Sequence, residues 1–529
     1  MKLIDIYPDK GTYIPGETVK INLSVSINKA AIVPFLIEVY HLDEMVQTFS
    51  QETAFEEGEQ NVAFSIAVPS ESQCGYRVKV SWQEAMGEKM KAFTAFDVMD
   101  NWTQYPRYGF LTDFEEGQHS SNDKVRTLLK YHINGVQFYD WQYRHDQLMP
   151  PAQEFIDPLG RKMSLRVIEG LISDCHRAGI KAMPYLAVYA ASLEFAERHP
   201  AWRLYDNDNA PITFEGFLGI MDPTPGSPWI EHLVQQCQTV LEETNFDGLH
   251  VDQYGDPKTG RNINGEMVDI PDAFHQFVSR LKNDFPKTAL TFNAVGNWPI
   301  DALATAPQDF VYIEVWEPTP SYQDLQDIVL NARRLSEGKP VVIAQYLQNT
   351  QLANIRLSDA IIYACGGSRI EIGEVERLLA DPYYPKHQEI SPELGGILKQ
   401  YMDFSVAYSE LIGPVAANIS LHEATLPENL RLIVRKNQDW ISLNLINFSG
   451  LGDVRWIDDH AEPQPMKEVW IDVPASWPVK EVFWATPDKQ DQALQKCEWD
   501  FVGGRLHIKV PFVDYWTMIV IQLSEGGDD

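Results

Sequence analysis

Two acids stand out by what precedes them. Asp252 closes the run Phe246-Asp-Gly-Leu-His-Val-Asp252 and Glu314 closes Asp309-Phe-Val-Tyr-Ile-Glu314, each after a stretch that reads as a buried strand. An ionised carboxylate at the end of an apolar strand costs several kcal/mol unless it is paired or hydrogen-bonded, and the strand ends show almost no Lys or Arg to pair with these acids. Something other than stability keeps them there. Two convergent carboxyl groups, one ionised and one held protonated by its neighbour's charge, can hydrolyse a glycosidic bond. Further polar and aromatic residues end the other runs: Asp113; Tyr139, Asp140 and Trp141, with Tyr143 and His145 beyond; Tyr185; His250, Gln253 and Tyr254; Asn293, with Asn297 and Trp298 beyond; Trp316 and Glu317; Gln345 and Tyr346; and Glu371. The acids and amides suit sugar hydroxyls, and the rings offer flat apolar faces to sugar rings.

Other chemistries are not legible. The five cysteines (Cys74, Cys175, Cys237, Cys365, Cys497) are widely spaced and form no CxxC pair, so they read as packing residues. The histidines lack HExxH spacing, and neither a GxSxG elbow nor a phosphate-cradling glycine loop occurs. Asp206-Asn207-Asp208-Asn209 begins like a calcium loop but lacks the Gly and terminal Glu of an EF-hand, and reads as a solvated loop. No metal and no cofactor are assigned. The 43 Lys and Arg against 75 Asp and Glu give a net charge of −32, a field that repels phosphate backbones and anionic headgroups. Nucleic acid and membrane are therefore not expected as partners. No apolar run approaches the ~18 residues of a membrane span, and Asp5 and Pro8-Asp9-Lys10 interrupt the N-terminus before a signal h-region of ~7 residues could form. A cytoplasmic protein is expected from the sequence as written, and a secreted one if a leader has been removed. The oligomeric state is unknown from sequence.

These acids must be positioned by a larger frame, and 529 residues suggest three domains. From about 105 to 400 the rhythm is strand then helix. Eight candidate strands cover Arg107–Phe114, Gly135–Trp141, Lys181–Tyr189, Phe246–Gly255, Leu290–Val295, Asp309–Trp316, Pro340–Leu347 and Ser368–Glu374. Helical patterns cover Lys124–His132, Leu165–Ala178, Trp229–Glu243, Ile270–Asp284, Tyr322–Leu335 and Leu357–Cys365, with Gly135, Gly179 and Gly338 in C′ positions. This predicts a central (β/α)8 TIM barrel over 99–404, with its site at the C-terminal strand ends. Residues 1–98 alternate apolar and polar in short runs separated by turns such as Pro15-Gly16 and Met86-Gly87, predicting an N-terminal immunoglobulin-like β-sandwich. Residues 405–529 alternate again and predict a C-terminal β-sandwich.

The segments Tyr108-Gly-Phe-Leu-Thr-Asp113, Gln137-Phe-Tyr-Asp-Trp-Gln-Tyr-Arg-His145, Phe246-Asp-Gly-Leu-His-Val-Asp-Gln-Tyr254 and Tyr312-Ile-Glu-Val-Trp316 resemble those of glycoside hydrolase family 66, across nearly the whole chain. That family contains endo-dextranases and cyclising isomaltooligosaccharide glucanotransferases. The resemblance implies a retaining mechanism on an α-1,6-glucan or isomaltooligosaccharide substrate, with Asp252 as nucleophile and Glu314 as acid/base. It implies hydrolysis over cyclisation, because the cyclising members carry a carbohydrate-binding module around the seventh strand, where this chain has 20 residues between Leu347 and Ser368. A non-catalytic glucan-binding protein is the remote alternative. Two geometric expectations follow: Asn293 lies between the two acids, and Glu317 points away from Asp252.

Overall fold

The computed structural model describes residues 1–67, 74–83, 87, 89–452 and 455–524. Met86, half of an expected turn, lies outside them. The chain is built of several mostly β parts around one curled parallel sheet. Eight strands of that sheet follow chain order: β1 (Tyr108–Leu111), β2 (Gly135–Phe138), β3 (Lys181–Ala187), β4 (Gly248–Asp252), β5 (Ala289–Val295), β6 (Val311–Glu314), β7 (Val341–Ala344) and β8 (Gly367–Ile370). Each is parallel to the next. The sheet curls until Ile372–Gly373, just past β8, pairs in parallel with β1 at Phe110. Gly373 permits that approach, since a Cβ there would lie 2.1 Å from the Phe110 carbonyl oxygen.

Period-2 alternation sorts the strand residues into two cores. Leu249 and Val251 of β4, Phe292 of β5 and Ile313 of β6 face the surrounding helices. Met183, Ala289, Tyr312, Val342, Ala344 and Ile370 fill the inside of the curl. Asp252 therefore stands two residues beyond His250 on the inner face, Glu314 two beyond Tyr312, and Asn293 two beyond Thr291. Helices at Leu165–Arg177, Pro228–Glu243, Ile270–Asp284 and Tyr322–Leu335 match the sequence reading closely.

Several boundaries differ. β2 stops at Phe138 rather than Trp141, because Asp140 takes a left-handed φ of 48° that turns the chain out of the sheet. Gly135 opens β2 instead of ending a helix, and the positive φ of 55° falls on His132. Gly135 is needed for space, since its Cβ would lie 2.2 Å from the Trp102 ring. Helix Pro392–Ala407 was not read from the sequence: its last turns are buried all round, so no amphipathic stripe shows. The expected boundary at 404/405 falls inside it.

Before the parallel sheet, seven antiparallel strands form a three-stranded sheet (Lys2–Pro8, Thr18–Ile27, Gly58–Ala67) and a four-stranded one (Ala31–His41, Glu44–Phe55, Cys74–Gln83, Lys89–Val98) sharing one buried cluster. After it, a six-stranded and a three-stranded sheet share another, around Leu443, Ile471, Ile508 and Ile519. Buried Arg107 ties the first part to the second through Asp97 at 2.5 Å and the Gly11 carbonyl at 2.7 Å. Among the described residues no helix is long and apolar enough to cross a membrane.

Candidate active site

Asp252 ends β4 and Glu314 ends β6, on either side of β5. Asn293 of β5 donates from its one Nδ2 to Asp252 Oδ1 at 2.8 Å and to Glu314 Oε2 at 3.0 Å. These two carboxylate oxygens are therefore no farther apart than the sum of the two distances. Each acid has its own second support. Asp252 Oδ1 also accepts from the Gln253 N–H at 2.8 Å, and Oδ2 accepts from the Tyr185 hydroxyl at 2.9 Å. Glu314 Oε1 accepts from the Tyr346 hydroxyl at 2.6 Å. Burial raises the Asp252 carboxyl above its ordinary range, against the hydrogen bonds from Asn293, Gln253 and Tyr185. Burial, then the charge of Asp252, pushes Glu314 up to about 7, against donors that include Tyr346 and Asn293. Like-charge repulsion is thus the second cause of the Glu314 shift, not the first.

The acids open into a cleft of about 790 Å³, within the range of small-molecule sites. Of the residues singled out in the sequence, Tyr139, Asp140, His145, Tyr185, Gln253, Tyr254 and Trp316 line it with Asp252 and Glu314. Burial pushes Asp140 up to about 7, with the Arg161 cation opposing it. His145 is pushed by burial down to about 4, so its imidazole is neutral near pH 7. Trp316 is the partly exposed ring of the rim, 5.4 Å from Tyr346.

Other candidates lie elsewhere. Trp141 is fully buried, packs edge-on to Phe246 and donates to the Tyr185 carbonyl at 3.1 Å, so its ring is core and not a sugar platform. Tyr143 lies under Arg144 and against Phe155. His250 is stacked on Tyr108 inside the curl, below the acids, and burial pushes it down to about 3, so it supports the floor as a neutral ring. Trp298 packs against Phe274 and Lys258, and its carbonyl accepts from Gln253. Neighbouring Asn297 takes a left-handed φ of 59° in the turn. Gln345 is buried against Ser358. Asp113 lies in a separate pocket, 3.8 Å from His387. Glu371 is buried with Arg369, which also holds Asp359 at 2.8 Å. The expectation of strand-end acids without basic partners is corrected here and at Glu374, whose partner Lys124 stands at 2.5 Å. Glu317 is exposed and paired with Arg455 of the C-terminal part, away from Asp252.

Tyr189, which ends the third predicted strand, also lines the cleft, whereas sequence reasoning passed over Phe214, Glu215, Phe217, Tyr383 and Lys386 of its wall. The aromatic hairpin Phe214–Phe217 and the run Pro382-Tyr383-Tyr384-Pro385 were the available signals. Tyr384 stacks on Tyr139 at 4.3 Å and shares a hydrogen bond with Tyr312 at 2.6 Å, which links the rim to the floor.

The family model for glycosyl hydrolase family 66 matches residues 8–520. A cycloisomaltooligosaccharide glucanotransferase of Niallia circulans is 29% identical over 385 residues, 66% of this chain and 39% of that protein. A dextranase of Streptococcus salivarius is 23% identical over 460 residues, 71% of this chain and 55% of that protein. The chain thus spans about two fifths to just over half of these curated relatives. The solved cycloisomaltooligosaccharide glucanotransferase of a Paenibacillus species, complexed with cycloisomaltoheptaose, superposes with a TM-score of 0.90 at 21% identity, over 98% of this chain and 99% of that one. The two share a fold.

Proposed function

The chain belongs to glycosyl hydrolase family 66, and on that premise we propose that it is an endo-acting, retaining hydrolase of α-1,6-linked glucan, with dextran or isomaltooligosaccharides as substrate. The observation that carries this reading is the single Asn293 amide shared by Asp252 and Glu314. It bounds the two carboxylate oxygens below the ~6.5 Å at which water-holding, inverting pairs begin, which supports a retaining pair. Asp252, with three donors stabilising its charge, attacks the anomeric carbon. Glu314, protonated up to about pH 7, gives its proton to the leaving oxygen, and then takes one from the water that cleaves the glycosyl-enzyme. The aromatic rings of the cleft wall suit the faces of sugar rings, and its carboxyl groups suit their hydroxyls.

The frame for this chemistry is a (β/α)8 barrel formed by the curled sheet, between an immunoglobulin-like β-sandwich at 1–98 and a second sandwich toward the C-terminus. The barrel part, 99–404 by sequence, is extended to Ile412 so that helix Pro392–Ala407 stays whole.

A second reading, the cyclising transferase, is favoured by the higher identity of the Niallia circulans glucanotransferase. Hydrolysis is favoured by the short connection between β7 and β8, which holds the helix Leu352–Ala364 and no inserted module. Chromatography of the products from long dextran separates the two. Linear isomaltooligosaccharides support hydrolysis, a dominant cyclic product supports the transferase, and dextran left unchanged overturns both.

A further inference from the structure

Zinc is borderline-soft and accepts nitrogen, sulfur and oxygen donors, whereas calcium and magnesium take oxygen. Among the described residues, His41, Cys74 and Glu410 bring one donor of each kind within 4.8 Å of one another. They come from three elements. His41 ends strand Ala31–His41 and Cys74 opens strand Cys74–Gln83, and these strands pair with Tyr40 opposite Arg77, which puts both donors at one end of the sheet. Glu410 comes from the helical turn Ser409–Ile412 that packs against it.

We propose that His41, Cys74 and Glu410 form a zinc site with an open fourth position, clamping the N-terminal sheet to the turn after helix Pro392–Ala407. His41 Nε2 stands 2.7 Å from Glu410 Oε1. Ligand atoms around tetrahedral zinc, with bonds of ~2.0–2.3 Å, lie about 3.3–3.6 Å apart, so this pair opens by about 0.6 Å to admit the ion. Glu410 is already oriented from behind: its other oxygen accepts the Gly75 N–H at 3.2 Å. A bonded outer partner of this kind holds a ligating carboxylate in place. The His41 and Cys74 side chains are partly exposed, which leaves a path for the ion. The site was invisible to sequence reading because its ligands lie far apart along the chain and form no CxxC or HExxH spacing. The site stands apart from the cleft, so its test does not depend on the glucan reading.

The test uses the full chain without a histidine tag, reduced, stripped with chelator and titrated with Zn2+ by calorimetry and with Co2+ by absorption. One equivalent of each is expected, with a thiolate-to-cobalt charge-transfer band. Cys74→Ser removes that band and weakens zinc binding at least about 100-fold, while Cys497→Ser, at a cysteine remote from the triad, leaves both unchanged. On the unaltered protein, Zn2+ slows alkylation of Cys74 by iodoacetamide, read by peptide mass spectrometry, so the test survives a variant that does not fold. The proposal is overturned if the reduced protein binds no zinc, if Cys74→Ser keeps the cobalt band, or if zinc leaves the alkylation rate of Cys74 unchanged.

Discussion

Tyr346→Phe removes one oxygen and changes the chemistry in a calculable direction. The hydroxyl donates to Glu314 Oε1 at 2.6 Å and so stabilises the ionised form of an acid that burial and the charge of Asp252 push up to about 7. A hydrogen bond to a charged group contributes about 1.5–3 kcal/mol, and one pKa unit is about 1.36 kcal/mol. Loss of the donor therefore raises Glu314 by about 1–2 units. The leaving group needs the protonated acid, so activity falls as pH rises through this value. The basic limb of kcat/KM, expected near 7 in the unaltered protein, moves to about 8–9 in the variant. The acid limb belongs to Asp252, whose donors Tyr185, Gln253 and Asn293 are untouched, and it stays in place. The assay is release of reducing ends from isomaltooligosaccharides across pH, at substrate concentrations well below KM. A basic limb that stays put or moves to lower pH refutes the assignment of Glu314 as the acid held by Tyr346.

Asp252→Asn removes the nucleophile while keeping the side-chain volume, so dextran hydrolysis falls by orders of magnitude with an unchanged circular dichroism spectrum; a variant keeping most of its activity excludes the role. Glu314→Gln tests the cost of the same buried acid. Its folded pKa is raised from 4.5 to about 7, so the stability it contributes is full below pH 4.5 and is lost as pH rises through about 7. Above that the unaltered protein carries a penalty on the order of 3 kcal/mol, and thermal melts should show the variant gaining over it between pH 4.5 and 7.5; a pH-independent difference would contradict this. Gly373→Ala places a Cβ 2.1 Å from the Phe110 carbonyl oxygen where the curled sheet meets itself. A loss of about 1–3 kcal/mol is expected, read as a lower melting temperature, and an unchanged one would show that this junction is loose.

The strands of the parallel sheet were legible because both their faces are buried. Continuous apolar runs such as Val311–Ile313 and Val341–Ala344 leave little other reading, and the acids that break them at Asp252 and Glu314 stood out for that reason. Alternation likewise exposed the antiparallel strands on either side. Helix Pro392–Ala407 was not legible, since burial all round its last turns erases the stripe that marks a helix.

What sequence by itself determined was which residues share a face of a strand: parity along β4 and β6 puts Asp252 above His250 and Glu314 above Tyr312. Which of those residues meet was decided only by the tertiary structure. The curl brings β4 and β6 to either side of Asn293, so one amide reaches both acids. The departure of the chain after Phe138 turns Trp141 into the core, although it follows two residues that line the cleft. Arg369 and Glu371 sit two residues apart and pair with each other and Asp359, a buried network that leaves Glu371 no part in the cleft. Glu314 and Glu317 stand three positions apart, and Arg455, from a much later part of the chain, draws the second outward. The physical reason is common to all of these. Periodicity records the direction of each side chain from its own backbone, whereas distance across a site depends on sheet curvature, register and loop turns summed over segments far apart in sequence.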